Sequence, residues 1–358
     1  MADIDTIYEC TPRQVAEYVE DLFYAGLVPN IMGSPGVGKS SIIRGVMNKL
    51  GLHCIDHRAS TSDPTDFNGL PNFVDGKARF APFEEIFPLQ DTAVPAGFDG
   101  FGIFLDEFNT APKSIMAAGY KLILDRMVGQ HKLHDRTAIC MAGNLETDGA
   151  ITTRMPTTMY SRVVTLVMRT DFDQWLQDVA IPQDYDHRIR AYLNWQKGSL
   201  NNFNPDQKGN AFACQRTWES MNKLIKGKPV LNSKIAMYVG AIGAGEAVSF
   251  VQFTKVYETL TTMEDVVRSP MSAIVPIEAS TRWAVVSKMA NDVSKDTLAP
   301  VAEYIDRFPI EQRILFYRSM LAQHPELSGH PAGIKAVVAL SQYLNPTDRQ
   351  LGSYAKAA

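Results

Sequence analysis

Gly33-Ser34-Pro35-Gly36-Val37-Gly38-Lys39-Ser40 is the stretch on which the reading of this chain turns. Glycines let a backbone turn its N–H groups inward around an anion. The spacing G-x-x-x-x-G-K-S is that of a phosphate-cradling loop. Its flanks suit that reading. Val28 to Met32 is a short apolar run expected to be a strand, and Ser40 to Leu50 reads as a helix ended by Gly51. A helix starting there aims the positive end of its dipole at whatever the loop holds.

Working outward, the next informative run is Ile103-Phe104-Leu105-Asp106-Glu107. Phe101 to Leu105 has the near-continuous apolar character of a buried parallel strand, and it delivers two acids at its carboxyl end. Ile139 to Ala142 is a third apolar run, followed by Gly143-Asn144. These three motifs in series form a P-loop nucleoside triphosphatase pattern. Lys39 is expected to place its charge on the β- and γ-phosphates, and Ser40 and Asp106 to hold Mg²⁺. Glu107 is expected to polarise the attacking water, and Asn144 to bond that water or the γ-phosphate. The nucleotide-binding set is Gly33, Ser34, Pro35, Gly36, Val37, Gly38, Lys39, Ser40 and Ser41. ATP and Mg²⁺ are the expected ligands.

Elsewhere the chain alternates strands with helices as far as about residue 170. Thr11 caps an expected helix over Pro12 to Ala25, and His53 to His57 is an expected strand. Thr61 to Leu70, dense in Asp, Pro, Thr and Gly, is expected to be loop. Asn72 to Phe80 reads as a hairpin turning at Asp75-Gly76. Lys113 to Met127 is an expected helix. Met127 to Leu133 and Thr137 to Ala142 are expected strands around His134-Asp135, and Arg162 to Met168 is the last. Beyond Asp171 the pattern is helical almost throughout, with Gly198 to Gly209 the expected loop. The implied fold is α/β: an αβα sandwich on a mostly parallel sheet, then an all-α lid and a helical C-terminal extension. The boundaries fall at 1–170, 171–260 and 261–358.

Composition narrows the function classes. The net charge of −4 and pI near 6.0 give no electrostatic reason to expect nucleic acid as the main partner. No apolar run approaches the ~18 residues a spanning helix needs. Cys10, Cys54, Cys140 and Cys214 stand alone, with no C-x-x-C, so they read as thiols of a reducing, cytoplasmic compartment. His53 and His57 lack the further ligands of a zinc site.

The order of the three motifs resembles that of AAA+ ATPases, and the finer text resembles the MoxR branch with its CbbQ and NorQ relatives. The loop from Gly33 to Ser40 carries part of the likeness. Asp63-Pro64-Thr65-Asp66 with Gly69, Leu105-Asp106-Glu107-Phe108-Asn109 with Ala111-Pro112, and Leu124-Asp125-Arg126-Met127 carry the rest. Val128 to Ala142 sits where that family has its pre-sensor hairpin. The likeness covers roughly residues 28 to 170 and thins afterwards. Thr110 and Gln215 stand where the family often has a basic residue and a proline.

The resemblance implies further roles. Arg162, in Tyr160-Ser161-Arg162-Val163, matches the arginine that reaches the ATP of a neighbouring subunit, with Arg154 as a rival. Arg216, in Cys214-Gln215-Arg216-Thr217-Trp218, sits where the lid's sensor arginine is expected. A homo-oligomeric, hexameric ring is implied. So is a separate client or adaptor protein, for which a von Willebrand factor A-type partner is the family's common choice. The job would be remodelling or activating that partner. The rival readings are a nucleic-acid motor or loader on the same engine, and a nucleotide-gated scaffold with little turnover.

Overall fold

The computed structural model describes residues 8–334 and 338, apart from 85, 146, 147, 149–154, 207, 208, 210 and 259. Arg154 therefore lies outside the described residues, as does most of the extension beyond 334. The chain divides into two units. The first comprises Met1–Asp171 with Phe203–Lys208 and Cys214–Arg216, and the second holds the remainder.

The first unit opens with β1 (Glu9–Cys10) and α1 (Pro12–Tyr24). Thr11 caps α1 with Pro12 in its first turn, as the sequence implied, and Gln14 closes a reciprocal capping box with it. Then come β2 (Val28–Met32), α2 (Lys39–Lys49) and β3 (Leu52–Arg58). The segment expected to be loop instead contains a short helix, α3 (Pro64–Asn68). The physical reason is local: Asp63 accepts from the Thr65 N–H, Asp66 accepts from the Asp63 N–H, and Pro64 occupies the first helical position. β4 (Leu70–Val74) and β5 (Lys77–Ala81) form the expected hairpin, turning through positive φ at Asp75 and Gly76.

β6 (Gly100–Asp106) is buried along its whole length. α4 (Lys113–Asp125) follows. The hairpin expected across residues 127 to 142 is smaller than its sequence suggested. β7 (Met127–Val128) turns at Gly129 and pairs antiparallel with β8 (His131–Lys132). β9 (Thr137–Gly143) instead joins the central sheet between β2 and β6. Buried on both faces, its side chains satisfy two cores at once, which a two-stranded ribbon could not offer. α5 (Thr157–Tyr160) and β10 (Val163–Met168) complete the unit.

The sheet runs β1-β10-β2-β9-β6-β3, and every pairing is parallel. Alternation along the strands divides the core in two. Ile103, Leu105, Ile139 and Met141 face Ile115, Met116, Leu122 and Ile123 of α4. Phe104, Cys140 and Ala142 face Val15 and Val19 of α1 and Ile43, Val46 and Met47 of α2. This is the expected α/β sandwich, with helices on both faces of a parallel sheet.

The second unit is helical. α6 (Phe172–Trp175) runs into a π-helical turn at Leu176–Ala180, and α7 (His187–Trp195) follows. Next are α8 (Gln215–Ile225), α9 (Ile235–Ile242) and α10 (Ala244–Glu258). α11 (Met263–Arg268), α12 (Ala279–Asp292), α13 (Leu298–Ile305) and α14 (Ile310–Gln323) come last. One apolar cluster runs from Phe172 to Leu327, so residues on both sides of position 260 share a core. Within it Tyr192 meets Trp218, Phe250 and Phe253 with ring centroids 5.3–5.8 Å apart. No helix among the described residues is long and apolar enough to cross a membrane.

Candidate nucleotide site

Three adjacent strands, β2, β9 and β6, end at the same edge of the sheet. The cradle follows β2, Asn144 follows β9, and Asp106 and Glu107 close β6. Parallel pairing therefore gathers residues that are far apart in sequence, and the carboxyl ends of such strands are where α/β sheets bind ligands.

The loop has the backbone its glycines allow. Gly36 and Gly38 have φ of 76° and 96°, and Gly38 precedes α2 without a side-chain cap, leaving the first helical N–H groups unclaimed by any side chain. A Cβ on Gly36 would overlap the sulfur of Cys214. Val37 is buried against the α1–α2 face of the sheet. Lys39 is buried; its Nζ donates to the carbonyls of Gly33 at 2.5 Å and Ser34 at 3.0 Å, and to Asn144 Oδ1 at 3.3 Å. Burial lowers its pKa to about 8, against the attraction of Asp106 and Asp148. Arg216 lowers it further, and Glu107 opposes that. Arg216 thus acts electrostatically on Lys39 from the Cys214–Arg216 segment of the same unit.

The Ser40 hydroxyl donates to Asp106 Oδ2 at 3.0 Å. Asp106 is buried, and its Oδ1 accepts from the Glu107 N–H at 2.9 Å. Ser40 and Asp106 fit the expected metal. Both offer hard oxygens, and two neighbouring ligands of an octahedral Mg²⁺ with ~2.1 Å bonds are themselves about 3 Å apart. Among the described residues no group of three His, Cys, Asp or Glu side chains could hold a metal. A Mg²⁺ here would draw on these two side chains, with phosphate and water completing its shell.

Glu107 sits in the left-handed region, at φ 55° and ψ 32°. One carboxylate oxygen accepts from the Ser60 hydroxyl, and the other lies 3.8 Å from Arg58 Nε. β3 pairs with β6 so that Arg58 stands beside Asp106, and the turn after β3 then presents Ser60 to Glu107. Sequence reasoning did not find Arg58 or Ser60, because their position depends on a strand neighbour, not on any local pattern.

Two more residues join the site. Asn109 is buried and clamps the backbone of Asn144: its Nδ2 donates to the Asn144 carbonyl at 2.7 Å, and its Oδ1 accepts from the Asn144 N–H at 3.1 Å. Gly143 permits this approach, since a Cβ there would overlap Asn109 Oδ1. Asp148, also buried, accepts from the Ser34 hydroxyl at 3.2 Å and from the Leu145 N–H at 3.3 Å. A polar residue two positions after the Asp-Glu pair, beyond Phe108, was the available signal for Asn109; Asp148 had none.

Two other expected residues are exposed. Ser41 is exposed on α2. Arg162 is exposed just after α5, and its Nη1 donates to the Thr158 carbonyl at 3.2 Å, within its own turn. The structure thus brings together Lys39, Ser40, Asp106, Asn144 and the Arg216 charge, and does not bring Arg162 to them.

No protein-family model matches the chain, and no curated protein matches it. Among solved structures the chain is similar to a candidate ATPase from Cytophaga hutchinsonii. The identity is 11% and the TM-score 0.34, over 85% of this chain and 79% of that one. Likeness at that level carries no weight for activity, which rests on the residues above.

Proposed function

We propose that the chain binds ATP with Mg²⁺ and hydrolyses it to ADP and phosphate. The observation that carries this is the meeting of Lys39, Ser40, Asp106 and Asn144 at one sheet edge, with Ser40 and Asp106 3.0 Å apart. The cradle N–H groups and the α2 amino end hold phosphate oxygens. Lys39 leaves its loop carbonyls for the β- and γ-phosphates. Bound Mg²⁺ supplies charge neutralisation across those phosphates. Glu107 takes a proton from water as its oxygen bonds the γ-phosphorus, and the bond to the ADP oxygen breaks. Asn144, held by Asn109, orients that water or the γ-phosphoryl group.

The larger job rests on the resemblance of residues 28 to 170 to the MoxR branch. On that reading the chain works as a homo-oligomeric, hexameric ring, and Arg162 completes the site of a neighbouring subunit. The energy of hydrolysis then remodels or activates a separate protein partner. Arg216 responds to the nucleotide from the start of α8.

One observation favours the second reading, a nucleotide-gated scaffold with little turnover. Glu107 already accepts from the Ser60 hydroxyl and lies 3.8 Å from Arg58 Nε, so it has to leave these partners before it can meet a water. Phosphate release separates the two. Steady release with ATP and Mg²⁺, abolished in Lys39→Ala, supports the enzyme; tight ATP binding with no release supports the scaffold.

A further inference from the structure

The second unit holds a cavity of about 640 Å³, remote in sequence from the phosphate loop. Its walls come from the approach to α7 and its first turn, the turn after α8, the end of α10 and the C-terminal part of α12. Five of its lining residues are lysine or arginine and two are aspartate, a surplus of three positive charges. Both aspartates are spoken for. Asp186 accepts from Arg188 Nε at 2.8 Å and Nη2 at 2.7 Å, and Asp184 pairs with Lys226 at 2.8 Å. Arg190, Lys228 and Lys288 form no ion pair among the described residues. Arg190 is buried, and the two aspartates whose charges act on it, Asp184 and Asp186, are already paired with Lys226 and Arg188.

Hydrogen bonding points the same way. Arg190 Nη2 donates to Asn291 Oδ1 at 2.8 Å, but its Nε has no acceptor. The hydroxyl of Tyr257, a residue only 4% exposed, has no partner either. Its ring lies 5.2 Å from that of His187, which also lines the cavity. These two donors without acceptors belong to residues that line one cationic cavity, and both atoms are closed to a water-sized probe, so an anion would satisfy them once the Arg190 and Tyr257 side chains turn toward it.

We infer that this cavity is a binding site for a small multivalent oxyanion of the phosphate class. Donors reach it from several directions: Arg190 and His187 from α7, Tyr257 from α10, Lys288 from α12 and Lys228 from the turn after α8. That arrangement suits a tetrahedral anion with oxygens on every side. A planar carboxylate is best held by a whole guanidinium fork, and here the fork of Arg190 is divided by Asn291. The site involves no residue of the phosphate loop, so it stands whether or not the chain hydrolyses ATP.

The test is calorimetric titration of pyrophosphate, and separately citrate, into the full-length Lys39→Ala chain, whose phosphate loop is disabled. Two second substitutions are then added singly. Tyr257→Phe removes one hydroxyl without changing packing, and Lys288→Gln removes a half-buried charge. Unchanged thermal midpoints verify their folding. Pyrophosphate is expected to bind the Lys39→Ala chain, weakening at least tenfold with Lys288→Gln and about fivefold with Tyr257→Phe. Citrate is expected to bind more weakly than pyrophosphate. Failure of pyrophosphate to bind, binding that both second substitutions leave unchanged, or tighter binding of citrate would overturn the assignment.

Discussion

Lys39 sets the chemistry at the scale of single residues. Burial brings its pKa down to about 8, so its charge is partly lost just above neutrality. The charged form attracts phosphate. Nucleotide affinity is therefore expected to be full well below pH 8 and to fall as pH rises through that value, by about tenfold at pH 9 if only the charged form binds. Because phosphate favours the protonated lysine, binding near pH 8 should take up a proton. Calorimetry in two buffers of different ionisation enthalpy reads that uptake directly, and pH-independent affinity between 7 and 9 would remove Lys39 from the binding role. Asn109 is a positioning residue at the same scale. Asn109→Asp keeps the acceptor for the Asn144 N–H but sets an oxygen against the Asn144 carbonyl. It is expected to lower kcat about tenfold or more while the KM for ATP stays within about threefold, a shift of roughly 1.4 kcal/mol in the barrier. Equal losses in both constants would make Asn109 merely structural.

Elements show where the sequence was legible and where it was not. The strand–cradle–helix unit at 28–49 could be read directly, because glycine spacing, apolar run and helix stop are all local. α3 was equally local but was masked by composition: Asp, Pro and Thr suggest loop until Asp63 and Asp66 are seen to cap one another. Asp63→Ala should therefore cost about 1 kcal/mol, measurable as a lower urea midpoint with an unchanged slope. No loss would mean that packing of Phe67, not the cap, holds this helix. β9 carried its apolar pattern plainly, yet its partners did not follow from that pattern, and pairing with β2 and β6 is what delivers Asn144 to Lys39. Arg58 and Ser60 were illegible for the same reason. Their meeting with Glu107 is fixed by the β3–β6 register, a relation between segments about fifty residues apart. The cationic cavity of the helical unit was out of reach too, since its residues run from Asp184 to Asn291 and share no motif.

At the scale of the whole molecule, the question is whether one chain completes its own site. Arg162 is exposed and bonded within its own turn, as an arginine offered to a neighbour would be. If it acts across a subunit boundary, Arg162→Ala subunits bind ATP but lack a finger, and Lys39→Ala subunits lack ATP but supply one. Mixing the two inactive proteins should then restore part of the phosphate release. No recovery at any ratio, in mixed assemblies verified by native mass spectrometry, would return Arg162 to a surface role.

On the proposed function, Glu107 is the acid that separates hydrolysis from mere binding. The decisive measurement is a paired one on Glu107→Gln, with ATP binding and phosphate release followed in the same preparation. Glutamine keeps the size and the acceptor for Ser60 but cannot take a proton from water. ATP affinity is predicted to match the native chain while release falls at least a hundredfold. Release at the native rate, with ATP still bound at this site, would contradict the account.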